Sequence, residues 1–137
     1  MNITQESDYA IRAVLIMSKS SEQEVLTANT ISELGGIPIR FLLKFLRKLT
    51  QVGIIKSHRG TNGGYSLEKS PKEINLRMII ESIEGPIWIN RCLYDKATCS
   101  AGKGDNCAIH MALHNVQSKM INELESINFE ELKQGAW

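Results

Sequence analysis

Along the chain, stretches in which apolar residues recur every three or four positions alternate with short polar or glycine-rich breaks. Residues 4–19 (TQESDYAIRAVLIMSK) carry Tyr9, Ala13, Ile16 and Met17 at such steps, which predicts a first helix. The polar run SSEQE interrupts it. Thr27 then has the chemistry of an N-cap for a short helix reaching Leu34, with Ala28, Ile31 and Leu34 on one side. Gly35-Gly36 ends that helix, and Pro38 suits the first turn of the next, PIRFLLKFLRKLTQ, which should stop before Gly53. A short helix, a tight glycine turn and a second helix follow the helix-turn-helix order. IIKSHR reads as a strand, GTNGG as a turn and YSLEK as a second strand, so a hairpin wing follows the helices.

INLRMIIESIEG predicts a fourth helix with Leu76, Ile79, Ile80 and Ile83 on one face. A last helix, from about Cys107 to Ile127, repeats Ile109, Leu113, Val116, Met120, Leu124 and Ile127 at helical steps. Twenty residues of helix are roughly 30 Å long, more than a small winged helix covers. The stripe is therefore expected to pair with a second copy; the plain alternative is packing on the chain's own core. The expected class is mainly α with a small β-hairpin wing, in three parts. Residues 1–85 form a winged helix-turn-helix domain, 86–107 a ligand-binding loop, and 108–137 a dimerisation helix with its tail.

Composition changes this picture little, but charge distribution does. With 137 residues, 42% hydrophobic and 23% charged, the chain fits one ordinary globular domain, or a domain with an attached arm. No apolar run approaches the roughly 20 residues of a membrane span. The N-terminus MNITQESDYA is too polar for a signal peptide, so a cytoplasmic chain with reduced thiols is expected. Net charge is only +1. Yet residues 1–77 hold 11 Lys and Arg against 7 Asp and Glu, and residues 78–137 hold 5 against 8. Between Arg40 and Lys72 stand 8 basic residues and one acid, Glu68, a balance suited to a polyanion.

The cations are also placed. On a helical wheel at about 100° per residue, Arg40, Lys44, Arg47 and Lys48 fall within roughly 100° of one another. Leu42, Phe45, Leu46 and Leu49 take the opposite face. Such a helix packs on a core while turning its outer face to the DNA major groove, where cations neutralise phosphates and arginine reads guanine edges. In the hairpin, Gly60, Gly63 and Gly64 permit close backbone approach, and Asn62 tolerates a left-handed turn. His58 and Arg59 stand at the turn's start, and an arginine on a thin loop suits a narrow minor groove. The plain readings are a solvated amphipathic helix and an ordinary surface hairpin.

All three cysteines lie in CLYDKATCSAGKGDNCAIH, residues 92–110. The neighbours are too polar and small to wall a hydrophobic pocket. Structural zinc sites bring paired ligands two to four residues apart, and only Cys107 and His110 are that close in the pattern C-x6-C-x7-C-x2-H. Iron–sulfur clusters tolerate wider loops between thiolates. A cluster is therefore favoured over zinc, a thiol redox switch or buried structural cysteines. No C-x-x-C pair, Ser/His/Asp set or phosphate loop supports an enzyme.

With SDYAIRAV, ISELGGIPIRFLLKFLRKL, RGTNGGYSL and the cysteine triplet in view, the chain resembles a family of bacterial winged-helix regulators, that of IscR and NsrR, over nearly its whole length, to about residue 127. The resemblance implies a homodimer on a palindromic operator in double-stranded DNA, with affinity set by a 2Fe–2S or 4Fe–4S cluster. It matches Cys92, Cys99 and Cys107 to the three cluster cysteines. The fourth ligand stays open between His110 and Asp8 of a partner subunit. Against these stand a solvent-facing histidine and a helix N-terminal carboxylate. The resemblance further implies major-groove contacts from Arg40 and Lys44 and a minor-groove contact from Arg59. Thr27, Arg47, Lys48, His58, Gly60, Asn62, Gly63 and Gly64 complete the expected DNA-binding set. Where IscR has an acidic residue that helps discriminate operators, this chain has Leu43, so operator preference does not carry over. The alternative expectation is a zinc-binding or cluster-free regulator that responds through thiol chemistry or a protein partner. Neither membrane nor small-molecule substrate is expected.

Overall fold

Side-chain caps set the helix starts. In the computed structural model, which describes residues 2–135, α1 (Gln5–Lys19) begins where the Thr4 hydroxyl accepts from the Ser7 N–H at 3.2 Å. Thr27 does the same for α2 (Ala28–Gly35), accepting from the Thr30 N–H at 3.1 Å, and Gly36 closes that helix in the left-handed region. After Gly36–Pro38 the chain enters α3 (Ile39–Gln51), with Pro38 as its N-cap. Strands β1 (Ile55–His58) and β2 (Gly64–Leu67) pair antiparallel, Ile55 opposite Leu67 and His58 opposite Gly64. Asn75 caps α4 (Leu76–Glu84), accepting from the Met78 N–H at 2.9 Å.

Three helices and a hairpin thus form the expected winged helix-turn-helix, with helix limits within two residues of those predicted. Its core is closed: Val14, Ile31, Leu42, Phe45, Leu49 and Ile79 have no exposed surface.

The wing is not a free flap. Leu26 and Tyr65 exchange both backbone hydrogen bonds, at 2.8 and 2.7 Å, which ties β2 to the residue before the α2 cap. That closeness requires glycine at 64, where a Cβ would lie 2.3 Å from the Leu26 carbonyl oxygen. Gly63 is constrained similarly, by the His58 carbonyl at 2.5 Å. Two of the three glycines expected to let DNA approach are thus needed first by the protein's own backbone.

The second part is more open. After Gly85 come a single-turn helix α5 (Arg91–Tyr94), short 3-10 turns at Lys96–Thr98 and Gly104–Asn106, and α6 (Ala108–Ser126). No described residue from Trp88 to Asn128 is buried. Periodicity did not reveal the return of the chain after α6. The backbone turns at Asn128 into α7 (Phe129–Lys133), and Phe129 enters the winged-helix core with no exposed surface. Backbone bonds fasten this return, Leu76 N–H to Ile127 at 3.1 Å and Phe129 N–H to Ile74 at 3.0 Å. Burying a side chain of that size contributes roughly 1.5–3 kcal/mol. Met1, Ala136 and Trp137, at the ends of the expected first and last parts, lie outside the described residues. No helix among the described residues is long and apolar enough to cross a membrane.

Candidate functional site

Arg40, Lys44 and Arg47 are exposed along one side of α3, opposite the buried Leu42, Phe45, Leu46 and Leu49. None of the three has a carboxylate partner among the described residues; the Arg40 guanidinium lies 5.2 Å from the centre of the Phe41 ring. Leu43 is 47% exposed on the same outer side. At the wing tip, Arg59, Gly60 and Asn62 are exposed. His58 is half-buried, its Nε2 2.8 Å from the hydroxyl of the buried Ser66. The one acid of the basic stretch, Glu68, sits 3.8 Å from Lys56, away from these groups along the hairpin.

Two of the expected DNA-binding residues make contacts within the protein. Thr27 spends its hydroxyl on the α2 cap and on Thr30, 2.9 Å away. Lys48 is turned to the rear of α3, where Nζ lies 3.2 Å from Glu6 Oε1 and 3.4 Å from the Ile83 carbonyl.

The cysteine segment assembles a second site. Cys92 comes from α5, Cys99 ends the first 3-10 turn, Cys107 is the N-cap of α6 and His110 stands in its first turn. All four are half-buried, and all four line one open cavity of about 290 Å³, together with Arg91 and Ile109. The cysteines are free thiols. Around Cys99 the loop folds back so that backbone N–H groups of Lys103 and Ala101, then Gly102 and Gly104, face its sulfur. These hold the thiol below its ordinary range, against a lesser opposing effect of desolvation. Among the described residues no three His, Cys, Asp or Glu side chains converge closely enough to hold one metal ion. Three soft thiols and an imidazole lining one hollow are donors of the kind that hold an iron–sulfur cluster, which is wider than a single ion, so their chemistry fits that group. A larger cleft, about 610 Å³, lies elsewhere, between the α1–α2 and β2–α4 connections; it mixes lysines with glutamates and holds neither thiol nor histidine.

Asp8 does not line the cysteine cavity of its own chain. It is exposed in the first turn of α1 and pairs with Arg12 at 2.6 Å, one helical turn on. Arg12 also donates to the Gly35 carbonyl at 2.8 Å, so the carboxylate is linked to the turn between α2 and α3. Arg12 and Glu6 were missed by sequence reasoning. The four-residue spacing of Asp8 and Arg12 was a usable signal, whereas nothing local connects Glu6 with Lys48.

A closed helical core, a paired glycine wing and an outer helix face of cations with no carboxylate partner among the described residues define a winged-helix DNA-binding protein. A family model described as Rrf2, iron-dependent transcriptional regulator, matches residues 3–135, and the chain belongs to that family. It is a transcription regulator and not an enzyme. It is 30% identical over 132 residues to the regulator IscR of Pectobacterium carotovorum, covering 96% of this chain and 79% of that protein. It is 28% identical over 132 residues to NsrR of Oceanobacillus iheyensis, covering 96% and 89%. Two solved structures share the fold. T. potens IscR has a TM-score of 0.78 at 20% identity, over 100% of this chain and 89% of that one. CymR, the global cysteine regulator of B. subtilis, has 0.78 at 22%, over 98% and 97%.

Proposed function

We propose that this chain is a cytoplasmic homodimeric regulator whose affinity for a palindromic operator is set by an iron–sulfur cluster, 2Fe–2S or 4Fe–4S, held by Cys92, Cys99 and Cys107. The observation that carries the reading is that all three thiols and His110 line one cavity. The cluster, when bound, supplies a redox- and ligand-responsive group whose loss or modification changes the charge and shape of this segment. His110 is the fourth donor available within the chain, and the half-buried imidazole is a more labile ligand than a thiolate. Asp8 of the partner subunit is the other candidate, and its release from Arg12 would be needed first.

The remaining roles belong to the protein's own groups. Arg40, Lys44 and Arg47 neutralise phosphates and read base edges in the major groove, while Arg59 enters the minor groove from the wing tip. Thr27, His58, Gly60, Asn62, Gly63 and Gly64 hold the backbone of that surface in place. The second copy is seated along α6, in which no residue is buried and Ile109 and Val116 are 68% and 54% exposed. Two wings in one dimer then meet half-sites about one DNA turn apart. Regulation requires that the cluster-loaded and cluster-free states differ in operator affinity.

Purification without oxygen, followed by iron and sulfide analysis, tests the cofactor. Iron with equimolar sulfide is expected; stoichiometric zinc without sulfide would replace the cluster by a zinc site, and absence of any metal would favour response through thiol chemistry or a protein partner. Replacing Asp8 and His110 separately and following the cluster's optical spectrum selects the fourth ligand.

A further inference from the structure

Among the cations of α3, Lys48 is the one with an ion-pair partner among the described residues. Its side chain is one-third exposed, and its ammonium lies 3.2 Å from Glu6 Oε1 and donates to the Ile83 carbonyl at 3.4 Å. Glu6 stands in the first turn of α1, and Ile83 in the last turn of α4. A carboxylate and the negative end of a helix therefore converge on one positive charge. Already compensated and partly withdrawn from water, this ammonium has little field left for a phosphate.

Both ends that it grips lead to the candidate metal ligands. Glu6 is two residues before Asp8, and between them the buried Ser7 donates its hydroxyl to the Glu84 carboxylate at the end of α4. From Glu84 the chain runs through Gly85 to α5, which carries Cys92. One flexible side chain thus ties the rear of α3 to the start of α1, which carries Asp8, and to the end of α4, from which the chain leads to Cys92.

We infer that Lys48 is a positioning residue, a strut that sets the pose of α3 against the ends of α1 and α4, and not a phosphate contact. This rests on α3 being the DNA-reading helix and, for its regulatory use, on the cysteine segment binding metal. A change in how α1 or the α4–α5 connection sits would reach Arg40, Lys44 and Arg47 through the Lys48 bridge.

The test uses full-length Lys48→Met, Glu6→Gln and the double variant, all cluster-free, on duplex DNA selected in vitro by the wild-type chain. Partly exposed pairs of this kind add little to stability, so the variants should fold, and their unfolding midpoints verify it. Affinity is measured across a series of KCl concentrations. A strut predicts that both single variants weaken binding in the same direction, by about threefold or more. It also predicts that the double variant is no weaker than the poorer single one, and that the slope of log K against log salt is unchanged. A phosphate contact predicts the opposite pattern: a slope shallower by roughly 0.9 per lysine lost in Lys48→Met, and tighter binding in Glu6→Gln, which frees the lysine. That pattern, or unchanged affinity in both single variants, overturns the proposal. Repeating the series on cluster-loaded protein addresses the metal reading separately. There the strut predicts that the ratio of loaded to free affinity moves toward one in both variants. If wild-type protein never loads iron and sulfide, the cofactor reading fails while the cluster-free result still decides the strut.

Discussion

The winged-helix half and the cysteine–α6 half of this chain are built on opposite terms. In the first, sixteen residues form one buried cluster, fifteen of them between Ala10 and Ile83, so the element can close on itself. From Trp88 to Asn128 no described residue is buried, though the stretch includes a nineteen-residue helix. That helix rests on α4 and α5 along one side, with Arg77 pairing Glu125 at 3.0 Å and the Ile89 N–H donating to Gln117 at 2.9 Å, and leaves Ile109, Met111 and Val116 exposed. The first half buries its apolar side chains largely within itself; in the proposed reading, a partner copy and a cluster complete the second. The exception is Phe129, which belongs to the second half in sequence and to the first in space.

Breaking that exception should have the largest effect. Phe129→Ala removes a fully buried ring from the winged-helix core and is expected to cost about 3–5 kcal/mol in denaturant unfolding. A loss under 1 kcal/mol would mean that the C-terminal return is dispensable to the head. Next is the wing: Gly64→Val must push Leu26 and Tyr65 apart, at an expected cost of about 1–3 kcal/mol with weakened DNA binding. Arg59→Ala sharpens the contrast from the other side. It should lower operator affinity by about 1–3 kcal/mol while leaving unfolding unchanged, as expected of a contact that belongs to DNA and not to the core. Val116→Asp should shift the chain toward monomer in sedimentation, with the head's unfolding midpoint moved little. The smallest effect is on thiol chemistry. Because backbone N–H groups stabilise its thiolate, Cys99 in metal-free protein should be alkylated with a midpoint pH below the ordinary cysteine value.

Legibility in the sequence divides the same way. The head was legible because periodicity, caps and turn glycines all act within a few residues, and Thr27 and Gly36 sit where local chemistry puts them; Asn75, read as part of the fourth helix, is instead its cap. The grouping of Arg40, Lys44 and Arg47 on one face came from the helical repeat alone. Lys48 did not yield to the wheel. It lies at the edge of the cationic face, and a carboxylate forty-two positions earlier decides which way it turns. The Leu26–Tyr65 pairing and the entry of Phe129 were likewise hidden, since one bridge or one aromatic in a charged segment leaves no repeating signal. In the second half the cysteine spacing was visible, but the closing of its loops onto one cavity depends on turns too irregular to read from residues.

The central claim is that the cysteine segment, by holding a cluster, changes what the head does to DNA. Its most direct measurement is operator affinity of one oxygen-free preparation, before and after stepwise removal of its cluster by chelation, with iron, sulfide and dimer content followed in the same samples. The account predicts that affinity changes in proportion to cluster lost, while the dimer persists and Cys92→Ser protein is fixed at the cluster-free value. Affinity that stays constant as iron and sulfide fall to zero would contradict it.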